Sequence, residues 1–208
     1  MHHSTEKVVA IPNLMEFFRE SVSDALSKQN VSVDEHTAHY VVNLLTMFAR
    51  SEDLYERTSS GIQLKPLALM LSDALEAPSS EHRNRYLQRL GDVALFISGC
   101  FADTIAVKLV DLDYYISMGG NAYGHLSEAM RGTVRGQAFR QVFRELADKF
   151  QLLVDVLHEM SDTTRGSSNR DIVRLYEVWL KTGSRRAEDL LRRMGVHPIS
   201  RTPLHRRH

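Results

Sequence analysis

Seven apolar side chains, Phe139, Phe143, Leu146, Phe150, Leu153, Leu157 and Met160, recur at steps of four, three, four, three, four and three residues. Such a series lies on one side of a helix, and a seam of that length must be covered by other helices. The rest of the chain keeps the helical period, and no run alternates as a half-buried strand does. Breakers are few, with 5 Pro and 11 Gly, and they fall where helices should stop or pack closely. The pattern therefore predicts an all-α fold, a single-domain bundle of about seven or eight helices.

Local signals divide the chain. A first helix is expected from Pro12, a favoured first helical residue, to about Asn30. Ser32 and Glu35 have capping-box spacing, which predicts a second helix from there to about Tyr55, broken by Thr58-Ser59-Ser60-Gly61. A third follows Lys65-Pro66, and Ala77-Pro78-Ser79-Ser80 separates it from a fourth that carries Tyr86, Leu87, Leu90, Ala94 and Ile97 to Gly99. The connection from Cys100 to Val110 reads as a loop or a short helical turn. A fifth helix covers Asp111 to Met130, and the Phe139 seam is a sixth. After a polar break from Ser161 to Asn169, two short helices, Asp171 to Lys181 and Ser184 to Met194, are joined by Thr182-Gly183 and closed by Gly195. Residues 1–11 and 202–208 are expected to be flexible.

Charge is balanced overall, 26 Lys+Arg against 26 Asp+Glu, but it is unevenly placed. Residues 163–208 hold eleven Lys/Arg and four Asp/Glu, a net of +7, so the remainder carries −7. The one cysteine, Cys100, excludes an intramolecular disulfide and suits a reducing compartment. Met1 to Glu6 lacks the basic region and apolar run of a secretory leader, and no apolar stretch approaches the roughly 20 residues a membrane span needs. A cytoplasmic protein with no membrane span is the expectation.

The fifth helix carries two stripes. Leu112, Tyr115, Ile116, Gly119, Tyr123, Leu126 and Met130 form the apolar one, and Asp111, Tyr114, Asn121, His125 and Glu128 the polar one. With Asp92, a carboxylate inside an apolar run, the polar stripe defines a candidate pocket between the fourth and fifth helices. Asp92 needs a partner, for which Arg85, Arg89 or a group on the fifth helix is available. Gly119, Gly120 and Gly124 each cost about 1 kcal/mol in a helix interior, which points to close helix packing, with Gly91 and Gly99 as counterparts, or to ligand space.

His125 and Glu128 could approach one cation, but a di-metal bundle asks for paired Glu-x-x-His motifs. The other acid–histidine pair, Asp155-x-x-His158, falls outside the seam and is expected on the outer face. His36-x-x-His39, with Asn43, Thr46 and Arg50, reads as a solvated face. No metal and no cofactor are predicted, and no Gly-x-Ser-x-Gly elbow or activated cysteine points to a nucleophile.

Near the end, Arg185, Arg186, Arg192 and Arg193 form a candidate basic surface opposite Ala187, Leu190, Leu191 and Met194, expected to be solvated or docked onto the acidic first part of the same or a neighbouring chain. The Thr182-Gly183-Ser184 break has a superficial helix-turn-helix look, but a pI of about 7.2 disfavours a dedicated nucleic-acid binder. The blocks Leu90 to Gly99 and Leu109 to Gly120, with Ala122-Tyr123-Gly124, resemble a family of uncharacterised bacterial all-helical proteins over the middle third of the chain. The resemblance implies a bacterial helical protein and no particular activity. Together these readings favour a non-enzymatic regulatory or scaffold protein working through protein contacts, with a protein partner or as a homo-oligomer. A small-ligand or metal enzyme, and a nucleic-acid binder, are the alternatives.

Overall fold

The structure, a computed structural model, describes residues 14–49, 56–58, 61–101, 112–131, 134–165 and 172–196. Helix α1 (Leu14–Lys28) turns its Val22 and Ala25 inward. It stops at Asn30, whose φ of 51° is a left-handed conformation that asparagine tolerates, and the Val31 N–H closes back on the Leu26 carbonyl at 3.0 Å. The expected start at Pro12 lies outside the described residues.

Helix α2 (Glu35–Phe48) begins two residues later than a cap at Ser32 would place it. Its cap is Asp34, whose carboxylate accepts the His36 N–H at 2.9 Å. Contacts from a distant helix explain the delay. The Ser32 carbonyl accepts from Lys149 Nζ at 2.6 Å and the Asp34 N–H donates to Glu145 at 3.0 Å, which holds the approach to α2 in place.

The second helix also ends earlier than Tyr55. Beyond it, β1 (Glu56–Thr58) and β2 (Gly61–Gln63) pair antiparallel, Arg57 opposite Ile62, where the sequence reading places no strand. Three residues per strand are too few for alternation to register. The fold remains all-α.

Helix α3 (Leu67–Leu75) follows Pro66 and buries Leu67, Met70 and Ala74. Helix α4 (Ser80–Cys100) is capped by Ser79, which accepts the His82 N–H at 3.3 Å. Its second half is the hub of the molecule: every residue from Leu90 to Cys100 is buried. A helix apolar all round must be enclosed, and α4 is enclosed by α2, α3, α5 (Leu112–Ala129) and α7 (Phe150–Arg165).

The long seam is divided. Residues 134–148 form α6 (Val134–Asp148), Lys149 is a turn, and α7 resumes at Phe150, so the described residues hold nine helices rather than eight. The halves have different neighbours: α6 packs on α5 and α2, and α7 on α4 and α1. Lys149 anchors the joint, its Nζ shared between the Ser32 carbonyl and Glu145. The four-three spacing runs unbroken through the joint, so periodicity alone does not reveal it.

Helices α8 (Ile172–Thr182) and α9 (Arg185–Arg193) form a C-terminal hairpin around Gly183, at φ 68°. It closes at Gly195 (φ 80°), with the Val196 N–H on the Leu191 carbonyl and the Gly195 N–H on the Arg192 carbonyl, the paired bonds of a Schellman stop. Trp179, Ala187 and Leu191 give the hairpin a small core of its own, separate from the main one. No described helix is long and apolar enough to cross a membrane. The polar break expected from Ser161 is corrected in part, since residues 161–165 continue α7; residues 166–169 lie outside the described residues, as do the Cys100 to Val110 connection beyond Phe101, 1–11 and 202–208.

Candidate functional site

The α4–α5 contact is a closed interface, not a pocket. A Cβ on Gly91 would stand 2.6 Å from the Tyr123 ring, and one on Gly119 would collide with Phe150 and come within 2.8 Å of Ala94. These glycines let ring and backbone touch directly. Gly99 serves α7 instead, where a Cβ would meet Leu157 at 2.6 Å.

Within that contact Tyr123, fully buried, donates its phenolic O–H to Asp92 Oδ1 at 2.7 Å. Tyr40 of α2 donates to the same oxygen at 2.6 Å and accepts from Gln88 Nε2 at 3.0 Å. One carboxylate thus ties three helices. The Tyr123 ring stacks on Phe143 (5.7 Å, 29°), and Tyr40 meets Phe143 edge-on at 5.4 Å, so the polar bonds sit inside an aromatic cluster.

Asp92 is 6% exposed, and burial pushes its carboxyl up to about 6, against the smaller downward pull of the two phenols and Arg89. Burial and the Asp92 charge push both phenols well above the ordinary tyrosine range, so they act as donors. Arg85 pairs with Glu81 instead, and the Arg89 guanidinium lies 4.9 Å from the centre of the Phe48 ring.

The polar stripe of the fifth helix faces elsewhere. Asn121, His125 and Glu128 are exposed and line an open groove of about 590 Å³ between α5 and the α6–α7 joint, with Arg144 and Gln151 opposite. Glu128 pairs with Arg131 at 2.5 Å and stands 3.7 Å from Arg144. Gly120 and Gly124 border the same groove, in ordinary contact with Ala147 and Phe150. Tyr114 is half-buried edge-on against Tyr115 (5.8 Å) and does not line it, and Asp111 lies outside the described residues. The expected pocket between the fourth and fifth helices is therefore corrected: Asp92 lies in the sealed interface, and three of its presumed companions sit in a groove it does not line. Among the described residues no group of three or more His, Cys, Asp or Glu could hold a metal ion.

A second groove, about 540 Å³, runs between α2 and α6. His36, His39, Tyr40 and Asn43 form one wall, and Phe139 and Val142 the other. The histidine pair therefore borders an apolar surface rather than an evenly solvated face, and Tyr40 links that surface to Asp92. Thr46 turns back to the Val42 carbonyl at 2.8 Å, and Arg50 lies outside the described residues.

At the C-terminal hairpin two expectations change. Asp155, expected on the outside, is 2% exposed, because α9 covers that side of α7. It accepts from the Ser184 hydroxyl at 2.7 Å and from Gln151 at 3.1 Å; burial pushes its carboxyl up, opposed by Ser184, the Arg186 backbone N–H and Gln151. Arg186 leaves the candidate basic surface: it is 7% exposed and pairs with Asp162 and with Glu159 at 3.4 Å. Arg185, Arg192 and Arg193 are exposed, Arg192 paired with Glu188 at 2.6 Å, and Met194 is exposed rather than inward.

Sequence patterning missed Tyr40 and Ser184; of the partners it offered Asp92, a group on the fifth helix holds, as Tyr123, which it did not name. The usable signals were chemical: a buried tyrosine needs a partner for its hydroxyl, and a serine directly after a turn glycine caps the next helix. No protein-family model, curated protein or solved structure matches the chain.

Proposed function

We propose that this chain is a non-enzymatic protein-contact module that pairs with a second copy of itself through the groove between α2 and α6. The observation that carries this reading is Phe139. It opens a seam whose other six members are buried, yet it is 56% exposed. A Phe side chain taken out of water contributes about 1.5–3 kcal/mol, so a surface that leaves one standing beside Val142 and Tyr40 favours a partner that covers it. Other exposed apolar residues, such as Leu69 and Leu75, do not border this groove.

The groove offers both a knob, Phe139, and a hollow beside His39, Tyr40 and Asn43, which is the self-complementarity a two-fold contact needs. Sedimentation velocity at about 10–100 µM tests it. A dimer is expected for the natural chain, and a monomer with unchanged circular dichroism for Phe139→Lys. A natural chain that stays monomeric across that range rejects the reading.

A further inference from the structure

We propose that α9 is an internal occupant of a helix-binding stripe on α7, and that the α8–α9 hairpin docks and releases as one arm while the main bundle stays folded. The stripe is Gln151, Asp155, Glu159 and Asp162, spaced four, four and three residues along one face of α7. Its occupant is the N-terminal turn of α9. Ser184 caps that helix, accepting the Ala187 N–H at 3.1 Å while donating to Asp155 at 2.7 Å. Arg186 reaches Glu159 and Asp162, and Lys28 and Gln29 at the end of α1 approach Glu159 from the other side.

Three features make this contact separable. The hairpin has its own apolar cluster around Trp179, Ala187 and Leu191, separate from the main core. The α9–α7 side of the contact is built from polar and charged groups, which lose much of their mutual attraction to desolvation, while α8 rests on α5. At the contact Asp155 Oδ2 and Gln151 Oε1 are buried with no hydrogen-bond partner, so its polar network is not fully satisfied. Specificity comes from the pairing of a cap hydroxyl with Asp155 and of an arginine two residues further on with Glu159 and Asp162. A partner competing for the stripe would have to present a helix start with the same two groups.

Hydrogen exchange of the full chain read by mass spectrometry tests the arm, comparing the natural protein with Ser184→Ala, Arg186→Glu and the double variant Arg186→Glu/Asp162→Arg. In Arg186→Glu the amides of α8 and α9 are expected to exchange about ten-fold or more faster, with those of α4 changed by less than about two-fold. Ser184→Ala should lie between, and the double variant should return toward the natural rate. Equal exchange of the hairpin and α4 in every variant, or loss of protection throughout the chain in Arg186→Glu, overturns the proposal. The self-association test above is independent of this one, since Phe139 lies on neither α7 nor the hairpin.

Discussion

Asp92 receives both phenolic hydrogen bonds on one oxygen, in a stretch of α4 with no exposed residue on either side. Its folded carboxyl is raised to about 6, above the ordinary value of 3.8. A raised acid binds its proton more tightly in the folded state, so its contribution to stability is full below about pH 4 and is lost as pH rises through about 6. Asp92→Asn keeps an oxygen for the two tyrosines and removes the ionisation. Relative to the natural chain, the variant should gain stability between pH 4 and pH 7, by roughly 1–3 kcal/mol at neutral pH. Urea melts of both proteins across that range check it, and a pH-independent difference would contradict it. At this scale the sequence disclosed a carboxylate in need of a partner. It pointed to a group of the fifth helix as one possible partner but not to Tyr123, which sits on the apolar stripe by periodicity with only its hydroxyl polar, nor to Tyr40.

The helices of the bundle are held at their distances by a few glycines, and the cost of adding a methyl group differs sharply between them. At Gly91 the new Cβ would meet the Tyr123 ring, itself wedged against Phe143 and tied to Asp92, so Gly91→Ala is expected to destabilise by about 1–3 kcal/mol despite the better helix propensity of alanine. At Gly124 the nearest atom is the Ala147 Cβ at 3.9 Å, and alanine there should be neutral or stabilise by up to about 1 kcal/mol. Thermal or urea denaturation of the two variants side by side measures the contrast; equal effects would mean that packing does not explain the glycines. The existence of the helices was legible from a 3.6 period and from caps such as Ser79 and Gly195. The late start of α2 was not, since it depends on Glu145 and Lys149, more than a hundred residues away. Neither was the division at Lys149, where the apolar spacing continues although the supporting helices change.

On the scale of the whole molecule, the uneven charge of the sequence is partly neutralised within the chain, since Arg186 turns into Glu159 and Asp162. Solvation and docking onto the acidic part of the chain were both open for the arginines of the last helix; Arg186 takes the second course and Arg185, Arg192 and Arg193 stay exposed. The all-α architecture could be read from pattern; which polar residues meet could not, because those meetings join helices far apart in sequence. Trp179, the chain's one tryptophan, is 8% exposed inside the hairpin core. Indole emission from this protein therefore reports on the C-terminal arm, while the bundle's packing is followed only by tyrosine, phenylalanine and backbone signals. In a urea titration the emission change should come at lower denaturant than the loss of far-ultraviolet circular dichroism, and coincident transitions would mean that arm and bundle melt together. A stability taken from fluorescence alone would describe the smaller of the molecule's two cores.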